Sequence, residues 1–222
     1  MPDSYREAIL NKRGLVLVSG QSGSGKSTSI AAMLDYLNKN GSGHIITVED
    51  PVEYLHEHKN CIFTQREVGI DTLSWEDALK NTLRQRPDII YIGEIRDAQT
   101  MMHAISYAET GHLCIATIHA TTAAQTIERV ANFFAADMRE QNLYSLAHVL
   151  KFIFCQRLIT GLYQGRVLAA EVLKNAGLIR PLIIKAATAE INDVMYKNHD
   201  IGMKTFDQHL LELYKDEKRS EE

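Results

Sequence analysis

The sequence predicts an α/β fold: a mostly parallel sheet with helices on both faces, followed by a helical C-terminal extension. Three observations carry this expectation. Short apolar runs alternate with helix-patterned segments between Leu15 and Thr117, as in strands joined by crossover helices. The first run opens onto GQSGSGKS at Gly20 to Ser27 and then onto a helical segment, the strand, Gly-rich turn and helix order of a phosphate-binding loop. Beyond Asn175 the apolar spacing is helical. The expected division is a core over 1–173 and the extension over 174–222.

Taken in order, Ser4 to Asn11 reads as a short helix, with Lys12, Arg13 and Gly14 as the turn into the strand Leu15 to Val18. Ile30, Met33, Leu34 and Leu37 then recur at helical spacing until Gly41. His44 to Val48 is the next buried strand, ending in Glu49, Asp50 and Pro51, and Cys61 to Gln65 reads as one arm of an edge hairpin. Ser74 caps a helix with Glu76 and Asp77 in its first turn, where carboxylates meet the positive end of the dipole, and Pro87 stops it. Strands at Asp88 to Ile92 and Leu113 to Thr117 flank a helix over Gln99 to Glu109. Ile127, Val130 and Phe134 mark one further helix, and Leu143, Leu146, Val149, Leu150 and Ile153 fall on one face of another. Leu158 to Thr160 and Val167 to Val172, joined through Gly161 to Gly165, read as a hairpin at the sheet edge. Helices follow over Leu178 to Ala187 and Ile191 to Tyr196. A last one opens on a Thr205-x-x-Gln208 capping box, and the charged tail Asp216 to Glu222 is expected to fray.

The chain's 222 residues are enough to bury a real core, and its formal net charge of -4 offers no broad basic surface for nucleic acid or anionic lipid. Cys61, Cys114 and Cys155 have no paired spacing, which suits a reducing, cytoplasmic setting. The start MPDSYREAIL lacks a signal-peptide profile, and no apolar run reaches the ~18 residues of a membrane span, so direct membrane insertion is not expected.

In the phosphate-loop pattern, backbone amides from Gly20, Ser22, Gly23, Ser24, Gly25 and Thr28 surround phosphate oxygens. Lys26 reaches the terminal phosphates and the Ser27 hydroxyl ligates Mg²⁺. Nucleotide hydrolysis also needs a metal-side carboxylate and a group to orient water. Glu94, after the apolar strand and Gly93, resembles a Walker B acid, although Asp is usual there. TVEDPVEY at Thr47 to Tyr54 supplies Glu49, Asp50 and Glu53 as candidate bases, and spacing alone leaves all three open. No Asn-Lys-x-Asp guanine-reading motif occurs.

GQSGSGKST, TVEDPVEY, QREVG at Gln65 to Gly69, LRQRPDIIYIGEIRD at Leu83 to Asp97 and TGHLCIATIHA at Thr110 to Ala120, in this order and spacing, resemble the type IV pilus retraction ATPases. These form the PilT/PilU branch of the secretion ATPases, and LRQRPDII, GHLCIATIHA and MKTFDQ lean toward PilU. The resemblance covers nearly the whole chain. It implies a RecA-like P-loop NTPase core that uses ATP and Mg²⁺, with Glu53 as catalytic glutamate, Glu94 as Walker B acid, and His112 and His119 as a His-box pair. It further implies a pilus-retraction and twitching motor working as a homo-hexamer or a mixed ring with a related ATPase. Such a motor sits at the inner membrane through a pilus platform protein. The alternative is an accessory nucleotide-binding subunit with little turnover of its own.

Against the family pattern, Gln21 and Ser22 replace Pro and Thr, Pro181 and Ile184 interrupt a polar motif at Leu178 to Lys185, and no N-terminal PAS-like domain is expected ahead of the core. His119 follows a strand's carboxyl end, within reach of a neighbouring acid, whereas His112 precedes that strand.

Overall fold

The computed structural model describes residues 1–162 and 165–216. Its elements in chain order begin with α1 (Asp3–Ile9), β1 (Gly14–Gly20), α2 (Lys26–Asn40), β2 (Gly43–Glu49) and β3 (Cys61–Glu67). Next come α3 (Trp75–Thr82), β4 (Ile89–Ile92), α4 (Ala98–Glu109), β5 (Leu113–Ile118), α5 (Ala123–Phe133) and α6 (Ala136–Val149). The chain continues through β6 (Leu150–Thr160), β7 (Arg166–Lys174), α7 (Ile179–Ile184), α8 (Ile191–Lys197) and α9 (Phe206–Lys215). The described strands form one 7-stranded sheet in the order β3-β2-β4-β5-β1-β6-β7, parallel except for the final β6/β7 pair.

Side chains alternate across a strand, so a strand buried on both faces feeds two cores. In β1, Leu15 and Leu17 join the core under α4, α5 and α6, while Val16 and Val18 join the core under α1 and α2. This accounts for the unbroken apolar run. Local capping chemistry holds as the sequence indicates: Ser74 Oγ accepts the Asp77 amide, and the Thr205/Gln208 box opens α9.

Two expectations are corrected. Cys61 to Gln65 is not a hairpin arm. β3 pairs parallel to β2, from Gly43 opposite Cys61 to Glu49 opposite Glu67. The intervening loop runs back along the sheet edge, tied down by Asn38, whose Oδ1 accepts the amides of Lys59 (3.2 Å) and Cys61 (3.1 Å). The helical reading through Ile153 also fails. α6 ends at Val149, and β6 runs parallel to β1 with Phe152 and Phe154 in one core and Ile153 and Cys155 in the other. The expected hairpin is the β6/β7 pair, Leu158 opposite Leu168 and Thr160 opposite Arg166. Its turn residues Tyr163 and Gln164, and 217–222 of the charged tail, lie outside the described residues.

One buried carboxylate reinforces the apolar packing that joins the last helix to the core. Glu171 on β7 accepts the Ala123 amide at 2.6 Å and also the Phe206 amide, joining the first turns of α5 and α9. Burial pushes its carboxyl group up, and these bonds oppose the shift. Glu171→Ala leaves two buried donors without partners, at about 1–3 kcal/mol each, so a fall of roughly 2–6 kcal/mol in unfolding free energy is expected. Urea denaturation measures it, as a lower midpoint at unchanged slope.

Candidate nucleotide site

Parallel strands spaced about 4.8 Å apart bring their carboxyl ends to one rim. Here β2, β4, β5 and β1 stand side by side. The residues following them, far apart in sequence, therefore meet.

β1 ends in the Gly-rich loop. Gly23 (φ 75) and Gly25 (φ 87) take the left-handed conformation that bends the chain into α2. Gly25 N-caps that helix without any side-chain cap, so the amides of its first turn are left to face a ligand. Gly20 is required by close approach, since a Cβ there would lie 2.8 Å from the Gln156 carbonyl oxygen. Lys26 Nζ donates to the carbonyls of Gly20 (2.9 Å) and Gln21 (3.0 Å), folding the ammonium over the loop. Burial lowers its pKa, and the charges of Glu94 and Glu53 oppose that shift.

β4 ends at Ile92, and Gly93 lets the chain pass close to β2; a Cβ on it would approach Glu49 Cα to 3.1 Å. Glu94 then accepts Arg96 Nε at 2.7 Å, pairs with Arg96 Nη2 at 2.6 Å and lies 3.0 Å from His119 Nε2. His119 enters just after β5, whose Thr117 hydroxyl donates to the Gly93 carbonyl. Arg96 Nη1 is also 3.8 Å from Asp50 Oδ2, so the guanidinium bridges the ends of β4 and β2.

The carboxylates of TVEDPVEY divide by environment. Glu49 is buried and accepts the Thr47 hydroxyl at 2.7 Å, and burial raises its pKa. Asp50 faces Arg96. Glu53 is exposed toward the loop, and Tyr54 beside it shares a 2.9 Å hydrogen bond between its OH and Thr28 Oγ1.

These groups line one cavity of about 380 Å³. Ser22, Gly23, Gly25, Lys26, Ser27 and Thr28 form one wall, and Glu49, Asp50, Glu53, Glu94 and His119 the other. Gly20 and Ser24, buried within the loop, are not among the residues lining this cavity. Ser24 borders a second cavity of about 540 Å³, and its buried Oγ has no partner among the described residues. His112 is elsewhere, before β5, with Nδ1 against Thr110 Oγ1 (3.1 Å) and the Tyr107 carbonyl (3.2 Å). Among the arginines of the QREVG and LRQRPDIIYIGEIRD segments, Arg96 engages the site through Glu94, while Arg66, Arg84 and Arg86 are not among the lining residues. Trp75, Tyr91 and Arg166 also line the cavity and were not anticipated. Arg166 arrives through the β6/β7 pairing, which leaves no mark near the phosphate motif.

The alcohol and carboxylate set of Ser27 and Glu94 consists of oxygen donors, as a hard divalent cation requires, and the uncapped amides with Lys26 suit a polyphosphate.

Residues 2–182 match the family described as Type II/IV secretion system protein. The chain is 52% identical over 215 residues to the type IV pilus ATPase PilU of Pseudomonas aeruginosa, covering 96% of this chain and 56% of that protein. It is 46% identical over 198 residues to the same organism's type IV pilus retraction ATPase PilT, covering 89% and 58%. The crystal structure of the pilus retraction motor PilT with bound ADP superposes at a TM-score of 0.92 and 43% identity, covering 100% of this chain and 63% of that one. The Legionella pneumophila ATPase DotB superposes at 0.88 and 26% identity, covering 100% and 61%. The chain thus spans between 56% and 63% of the length of these proteins. The sheet and its flanking helices are the RecA-like α/β core of such ATPases. The chain belongs to the type II/IV secretion system protein family, and its sequence is of the PilU and PilT kind.

Proposed function

We propose that this chain is the ATP-hydrolysing motor module of a type IV pilus retraction ATPase, acting in twitching motility. The observation that carries the reading is the meeting of Glu53, Glu94 and His119 with the phosphate loop in one cavity. The likeness to PilU and PilT supplies the pilus context.

In this reading the loop amides and the first turn of α2 hold the phosphates, and Lys26 leaves the Gly20 and Gln21 carbonyls for the terminal phosphate oxygens. Glu53, exposed to the cavity, accepts the proton of the attacking water. Glu94, steered by Arg96, orients the metal side, and His119 on its Oε1 senses departure of the γ-phosphate. Mg²⁺ would be held by Ser27 and Glu94, and it supplies charge neutralisation at the phosphate oxygens.

The module works in a ring, as a homo-hexamer or with a related ATPase, at the cytoplasmic side of the inner membrane beside a pilus platform protein. Among the described residues no helix is long and apolar enough to cross a membrane. Mass in solution with and without Mg-ATP tests the ring. A nucleotide-dependent shift from the 25.0 kDa subunit to a closed assembly is expected, and a monomer under every condition counts against it.

A further inference from the structure

The loop that carries Glu53 has no regular secondary structure between β2 and β3, yet side chains hold its backbone at Val52, Tyr54, His56, Glu57 and Lys59. Much of that hold comes from the QREVG segment at the end of β3. Gln65 Nε2 donates to the Tyr54 carbonyl at 2.8 Å, and its Oε1 accepts the His56 amide at 2.8 Å. One carboxamide thereby grips the chain on both sides of Leu55, directly after Glu53. The same side chain hydrogen-bonds the buried Glu49 carboxylate, which also accepts the backbone amide of Glu53 itself. Glu67 Oε2, two residues along β3, takes the Val52 amide at 2.9 Å, directly before Glu53.

We propose that Gln65 is a positioning residue for hydrolysis, fixing through its grip on Tyr54 and His56 where Glu53 stands over the phosphate loop. This rests on the reading of Glu53 as the base. The physical reason is that an exposed glutamate on an irregular loop has no scaffold of its own, and a base must stay within hydrogen-bond reach of its water. Parallel pairing of β3 with β2 places Gln65 opposite Thr47, whose hydroxyl holds Glu49 from the strand side. Gln65 closes that frame from the other side. Its amide is suited to the task because it donates and accepts in one plane, whereas a carboxylate accepts only. Tyr54 adds the link onward, through its OH to Thr28 at the start of α2, so the base loop and the phosphate loop are fastened to each other.

The test is Mg-ATP turnover of the whole chain in three forms, wild type, Gln65→Ala and Gln65→Glu, with ADP affinity by calorimetry and exchange of the His56 amide by NMR. Gln65→Glu keeps the shape but replaces the donor with an acceptor and adds a negative charge beside Glu49, so far-ultraviolet circular dichroism of both variants separates positioning from folding. Displacement of a catalytic group by about 1 Å costs up to about 100-fold, so kcat is expected to fall roughly 10- to 100-fold in both variants. KM and the ADP Kd stay within about twofold, the pattern of an interaction expressed in the transition state alone. The His56 amide exchanges faster in Gln65→Ala. Wild-type kcat in both variants, or a loss shared equally by KM and ADP affinity, overturns the role of Gln65 and leaves the motor reading intact. A wild-type chain that binds ADP without any turnover removes the base assignment and this proposal with it.

Discussion

Lys26→Ala is expected to lower ATP turnover by ~100-fold or more, the cost of removing one preorganised charge aimed at a developing oxyanion. The ammonium is half-buried, held on the Gly20 and Gln21 carbonyls and feeling the charges of Glu94 and Glu53 in the same cavity, so alanine removes the cation that the phosphate loop itself supplies to a terminal phosphate. Nucleotide binding therefore weakens along with turnover. Phosphate release and ADP titration on the variant measure both effects. The fold survives, because the cores on either side of the sheet do not include Lys26, and far-ultraviolet circular dichroism should overlay the wild type.

Glu53→Gln has a different signature. Removing a general base costs typically ~10² to 10⁴ in rate. The isosteric amide keeps the hydrogen-bonding shape but takes no proton, so kcat falls by that amount while ATP binding persists. The neighbouring carboxylates do not substitute. Glu49 is buried and committed to Thr47, and Asp50 faces Arg96. A variant that stops turnover and still binds ATP identifies Glu53 as the base. One that retains wild-type kcat transfers the role elsewhere.

Contiguous physics made the core legible. The buried strands of β1, β4 and β5 are unbroken apolar runs, and their carboxyl ends share a rim because parallel pairing leaves no other place for them. Ser22, Gly23, Gly25 to Thr28 and Glu94 therefore line one cavity at that rim. Two junctions escaped, the first because periodicity cannot tell a short apolar run in a helix from one in a strand. The run after Val149 is such a case, and its alternation between two cores shows only once both cores exist. The direction of β3 was illegible for another reason. It depends on hooks from distant residues, Asn38 on α2 and Gln65 and Glu67 on β3 itself, which return the loop to the start of the sheet edge.

The choice among Glu49, Asp50 and Glu53 was likewise a matter of depth, not spacing. All three line the cavity, but Glu49 is buried, Asp50 faces Arg96 and Glu53 is exposed. Arg166 left no signal at all, since only the antiparallel β6/β7 pairing carries it to the phosphate loop.

The most direct measurement is the ATP affinity of the Glu53→Gln chain, titrated by calorimetry with Mg²⁺ and again with the metal chelated. The site described predicts saturable binding to each subunit that Mg²⁺ tightens by about tenfold or more, equivalent to about 1.4 kcal/mol. Affinity indifferent to Mg²⁺, or no binding in either condition, would contradict a single cavity shared by the phosphate loop, Ser27 and Glu94.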